Sequence, residues 1–172
     1  MAKHGLYVSL ILGLVPLQVT ALNYVGVAGI RPDLTLIAAF LIGFLGSEME
    51  GLLMGILLGC VQDLFSAGSL WMNVITKGMI GILAALLGRH LANATSVSVC
   101  ALIFVLSMLS GATAAMWIRV DDDFTGIVQA IQSVVLPQAL FDAALGAVIY
   151  RFMPGRRRRE AEFGDEMALF GR

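Results

Sequence analysis

Charge is scarce in this sequence. Only 13% of its 172 residues are Lys, Arg, Asp or Glu while 59% are hydrophobic, and the eleven basic and twelve acidic residues fall almost wholly between apolar blocks. That balance argues against a soluble domain, which at this length needs a charged surface to stay dispersed. Cysteine is nearly missing too: Cys60 and Cys100 both lie inside apolar blocks, which leaves no disulfide framework and no zinc-ligand spacing. Histidine is confined to His4 and His90. Without an HExxH, a nucleophile elbow, a phosphate-binding loop or carboxylates at catalytic spacing, no enzyme is expected, and no metal or cofactor. Nothing points to nucleic acid, and there is neither an internal repeat nor a long low-complexity stretch.

What is present is apolar sequence in six blocks. The first, residues 5–27, is long enough to cross a hydrocarbon core of roughly 30 Å. Pro16, Gln18 and Asn23 interrupt it and no small-x-small cleavage site follows, so it reads as a span that stays. The second covers residues 32–46, with Pro32 suited to a first helical turn. Residues 47–51 read as a turn, and a third block runs over 51–65. At 1.5 Å per residue these two blocks reach only roughly 22 Å each, as short spans or as a re-entrant hairpin. Blocks at 70–88 and 97–118 follow. The last covers 126–153, where Pro137 divides an interfacial segment IVQAIQSVVL from the span proper.

Basic residues orient the blocks. With six spans and both termini in the cytoplasm, Lys3, Arg89, Arg151, the run 156–159 and Arg172 face inward. Arg31, Asp33, Arg119 and the aspartates 121–123 then face outward. The expectation is an all-α integral membrane protein, N-in and C-in, with a six-helix transmembrane domain over residues 1–153 and a cytoplasmic tail over 154–172.

The stretch GLLMGILLGCVQDLFSAGSL, residues 51–70, carries glycine at every fourth position. Gly51, Gly55 and Gly59 form a bare stripe on one helix face, where a backbone can approach closely. Helix packing within the chain and contact with another protein or a ligand both fit it. Asp63 continues the stripe, and Lys77 lies about two turns into the next, antiparallel block, which places the two to pair as a clamp on the hairpin. Asp142 sits inside the last span with no basic residue of its own helix near it, so it is either protonated or faces a donor on another helix; Lys77, Asn73 and a backbone group freed at Pro137 are the candidates. Asp33 fits the first turn of a helix, where a carboxylate meets the positive end of the dipole, and Arg31 beside it can dock a partner.

Together, IRPDLTL ahead of the second block, the glycine stripe, and PQALFDAALGAVIYRFM with its basic tail resemble the rod-shape-determining protein MreD family. The resemblance covers most of the chain and is most specific over residues 31–70. Two positions depart from it: Trp71-Met72 stands where members often carry a glycine, and Asp142 where they often carry Asn. The resemblance implies a non-enzymatic, multi-pass component of the bacterial inner membrane that belongs to the cell-elongation machinery. Its six-helix fold would be similar to the substrate-binding components of energy-coupling-factor vitamin transporters. Its partners would be an MreC-like single-span scaffold and, through it, an MreB-like filament and peptidoglycan synthases, besides membrane lipids. The motif positions it marks are Arg31, Pro32, Asp33, Gly55, Gly59, Asp63, Ser66 and Gly68. The alternative is a substrate-binding component of a small-solute transporter, and a polar-lined cavity would favour it over a scaffold with a filled interior.

Overall fold

The computed structural model describes Gly13, Gln18 and residues 30–65, 71–91, 95–118 and 124–153. The rest of the first block, Ser66 and Gly68, Arg119 with the acidic run 121–123, and the tail from 154 with its arginines lie outside the described residues. Among those described, the chain is helical and has no strand. The helices are α1 (Leu34–Leu45), α2 (Glu48–Phe65), α3 (Met72–His90), α4 (Ser96–Ile118), α5 (Phe124–Ala130) and α6 (Leu136–Phe152), with a π-helical turn at Ile131–Val135 joining the last two.

Among the described residues, three stretches are long and apolar enough to cross a membrane: Met72–His90, Ser96–Ile118 and Thr125–Phe152. Leu53, Leu57, Ile75, Met79, Val105, Leu109, Leu140 and Val148 project outward from four helices. In water such a surface would drive association, whereas lipid tails are as apolar as the side chains themselves.

Helix α1 is the centre of the body. Nine of its twelve residues are buried, as expected of a helix that is apolar on all sides. Leu36, Ile37, Phe40 and Phe44 pack with Ile80 and Ala84 of α3, Val99, Ile103 and Leu106 of α4, and Ala143 and Tyr150 of α6. The ring of Phe44 stacks on Phe40 at 5.4 Å between centroids and meets Tyr150 edge-on at 5.9 Å. Helix α2 lies along α3, and α4 along α6, while α3 and α4 scarcely touch.

Two sequence expectations are corrected. Residues 47–51 are no turn: Glu48 begins α2, and Ser47 caps it. The Ser47 hydroxyl accepts from the Glu50 N–H at 3.2 Å while the Glu50 carboxylate accepts from the Ser47 N–H at 3.2 Å, the reciprocal capping box of an S-x-x-E sequence. The added turn brings α2 to 18 residues. At the same end of the bundle an exposed Arg89–Glu48 ion pair of 2.8 Å links the last turn of α3 to the first of α2. Pro137 likewise does not divide the last block. Its ring would collide with the carbonyl four residues earlier in a regular α-helix, and the π turn at Ile131–Val135 widens the backbone there, so one helical stretch runs from Thr125 to Phe152.

Candidate functional site

The glycine stripe is filled from within the chain. A Cβ added to Gly51 would meet the backbone of Gly81, one on Gly55 would lie 2.7 Å from the carbonyl carbon of Lys77, and one on Gly59 would lie 2.6 Å from that of Asn73. Contacts at 51, 55 and 59 thus answer 81, 77 and 73, the register of two antiparallel helices in backbone contact. Gly43 of α1 joins the same junction against Gly81. The stripe is a helix-packing face, and no second chain has room there.

That close approach brings the buried charges together at the end of the bundle opposite the Arg89–Glu48 pair. Lys77 is fully buried, and its ammonium pairs with Asp33, 3.2 Å from Oδ1 and 3.1 Å from Oδ2, and donates to the Thr35 hydroxyl. The expected pair with Asp63 is therefore corrected: Lys77 takes its counter-ion from α1. Asp33 also stands at the helix start where the sequence puts it. It is the N-cap of α1, accepting from the Leu36 N–H at 3.0 Å, and its Oδ1 also lies 2.6 Å from the Thr35 hydroxyl and 3.1 Å from the Gln18 amide nitrogen that donates to it. Gln18 closes the ring by accepting from the Thr35 N–H at 3.0 Å, and Gln62 of α2 lies within hydrogen-bonding distance of the Thr35 hydroxyl. Arg31, by contrast, is exposed.

Asp63 serves the hairpin differently. Its carboxylate accepts from the backbone N–H groups of Trp71 at 3.0 Å, Asn73 at 3.4 Å and Val74 at 3.2 Å, and from the Asn73 amide at 2.7 Å. It satisfies the first turn of α3 and sits at the positive end of that helix dipole. The clamp exists, but it is made to backbone. The cap holds Trp71 at φ 86°, the only positive φ among non-glycine residues described. For an L residue that conformation costs roughly 1–2 kcal/mol, and the indole is largely exposed, so Trp71→Gly is expected to raise stability in detergent by about 1 kcal/mol, read as a higher midpoint in a denaturation curve.

Asp142 is fully buried, and none of the three expected donors holds it. Its Oδ2 accepts from the Ser107 hydroxyl at 2.6 Å and its Oδ1 from the Asp33 N–H at 2.7 Å. The carboxylate thereby ties α6 to α4 and to the cap of α1. Beside it, between α3, α4 and the α5–α6 stretch, opens a cleft of about 370 Å³ whose polar lining is Asp33, Asn73, Thr76, Ser107, Ser110 and Gln138. Small residues, Gly111, Ala114, Ala115 and Ala130, make much of the rest.

No family model, curated protein or solved structure matches this chain.

The fold thus gathers Asp33, Asp63, Lys77 and Asp142 at one end, where the charges of Asp63 and Asp142 also act on Lys77, and places Gly51, Gly55 and Gly59 along the α2–α3 seam that leads to it. Thr35, Gln18, Gln62 and Ser107 complete the network without having been singled out in the sequence. A lone hydroxyl or amide in an apolar run carries no periodic signal, and only the approach of a carboxylate from another helix gives it meaning.

Proposed function

We propose that this chain is a non-enzymatic, multi-pass scaffold of the bacterial inner membrane, of the MreD type, which holds an MreC-like single-span partner and through it serves an MreB-like filament and peptidoglycan synthases. The observation that carries this reading is the structural use of the residues behind the resemblance. Asp33 caps α1 and neutralises Lys77, Gly55 and Gly59 seat α3, and Asp63 caps it. Such a set supports a rigid body rather than a reacting centre. Six spans, with both termini inward, belong to the same proposal: the first block, α1 and α2 join the three long apolar stretches.

With the glycine stripe occupied, the partner helix engages the lipid-facing side of α4. Only Val99, Ile103, Leu106 and Ser107 of that 23-residue helix are buried. A photo-crosslinking residue at Leu109 is expected to capture a co-expressed MreC-like partner in membranes, and one at Leu57 of α2 is not. Absence of crosslinks from every outward position of α4, together with normal rod shape on depletion of the chain, would sink the reading. The cleft supports a second reading, a solute-binding component of a transporter, because about 370 Å³ with six polar residues on its wall falls within the size of small-molecule sites.

A further inference from the structure

The outward faces of the helices differ in height. On α2 every exposed side chain from Met49 to Phe65 is apolar, and on α3 the same holds from Trp71 to Leu86. At 1.5 Å per residue these faces are about 24 Å and 23 Å tall, and tilt only shortens them across a bilayer. Polar or interfacial groups bound them at both ends. At one end stands the exposed Arg89–Glu48 ion pair. An arginine free to snorkel would reach out to a more distant headgroup layer, but Arg89 is engaged at 2.8 Å by Glu48, whose short side chain leaves the first turn of α2. At the other end α2 stops at Phe65, α3 begins at Met72, and the indole of Trp71 is exposed, as aromatic rings are at a membrane–water interface. Against a hydrocarbon core of roughly 30 Å the hairpin falls short by about 6 Å.

Helix α4, which packs on α6, is taller. Its exposed side chains run from Val97 to Ile118, about 32 Å of rise. The one hydroxyl among them, on Thr113, is turned onto the Leu109 carbonyl at 2.8 Å. Leu36, Ile37, Phe40 and Phe44 of α1 tie α3 to α4 and α6 in one core, so the two faces cannot slide past each other to even out the difference.

We propose that the α2–α3 face is an interaction surface for a locally thinned bilayer and gathers phospholipids with shorter acyl chains, while α4 meets bilayer of ordinary thickness. The body then stands as a step between two thicknesses. A thinned bilayer brings its headgroups level with the Arg89–Glu48 pair and with Trp71, and leaves no apolar side chain of the hairpin uncovered. The inference goes beyond the scaffold reading and rests only on the body lying in a membrane.

The test uses the purified full chain carrying Trp71→Phe and Trp117→Phe, which removes its only tryptophans. Leu57→Trp or Leu109→Trp then sets a single indole on the outward side of α2 or of α4. Each form is reconstituted in mixtures of dimyristoleoyl- and dioleoyl-phosphatidylcholine with one lipid or the other brominated, and fluorescence quenching reports which lipid lies against the indole. The α2 probe is expected to select the shorter lipid about threefold, and the α4 probe to show no preference for it. Leu64→Asn with Phe65→Asn cuts the last turn from the α2 face at two exposed positions, and the preference at the α2 probe rises further. Equal selection at the two probes, no selection or selection of the longer lipid at the α2 probe, or a preference unchanged when the face is shortened overturns the proposal. Should the shortened variant fail to fold, the comparison of the two probes decides alone. Crosslinking of a partner to α4 is a separate readout, so failure of the scaffold reading leaves this result standing.

Discussion

Lys77→Met is expected to lower the stability of the purified chain by about 3–5 kcal/mol, the cost of stripping one partner from a buried ion pair. The side chain of methionine fills most of the space left by the lysine stem, so packing is nearly conserved and the loss reports on charge. Without the ammonium, Asp33 keeps the Leu36 N–H, Thr35 and Gln18 but faces Asp142 and Asp63 with no counter-ion. The double variant Asp33→Asn, Lys77→Met removes both charges while an amide oxygen remains to cap α1. It is expected to recover most of the loss, because replacing both members of a buried pair by neutral groups costs far less than removing one. Denaturation curves in mild detergent of the wild type, the two single variants and the double give the coupling directly. A Lys77→Met variant as stable as the wild type would mean that the ammonium reaches the interface by snorkelling, and the network described above would be wrong.

Gly55→Ala is the second large effect expected, about 3 kcal/mol or more of destabilisation. A methyl group is the smallest addition possible, yet the atom it meets is main-chain carbonyl of Lys77, which no rotamer change can move aside. Helices α2 and α3 must separate, and the same displacement pulls the Lys77 side chain away from Asp33. This is overpacking at the upper end of its usual cost, since backbone must shift. Leu57→Ala, on the outward face of the same helix, serves as the control and is expected to stay within about 0.5 kcal/mol of the wild type. Equal stability of the two variants in the same assay would remove the α2–α3 seam from the account.

Much of this arrangement can be read from residues alone, and the boundary of what can is physical. Helices expected over 70–88 and 97–118 are found at Met72–His90 and Ser96–Ile118, because long apolar runs ended by small and polar residues leave few alternatives. The glycine period announces close backbone contact, and Asp63, Lys77 and Asp142 stand out because charge in an apolar run is costly. Choosing partners is another matter. Asp63 and Asp33 both lie at the Lys77 end of helices that pack on α3, and sequence proximity favours Asp63. The short connection after α2 instead leaves the Asp63 carboxylate against three free N–H groups of α3, and Asp33 is left to take the ammonium. Asp142 meets Ser107 across 35 positions of sequence, a pairing that depends on how α4 and α6 cross. The capping box at Ser47 and Glu50 was open to inspection, since its spacing is local.

The π turn before Pro137 also works as a gear. One seam of buried positions along the last stretch runs through Ala130, Val135, Ala139, Ala143, Gly146 and Tyr150, with Asp142 buried beside Ala143, and each step of that seam is three or four residues except the first, which is five. Taking one residue out of that turn would rotate Thr125–Ala130 about 100° relative to α6. Ala130 would leave the wall of the cleft while Asp142 kept its place. The Ala130 wall of the cleft and the Asp142 carboxylate are therefore held on one helical stretch but in separate phases, and the extra residue between them sets their alignment.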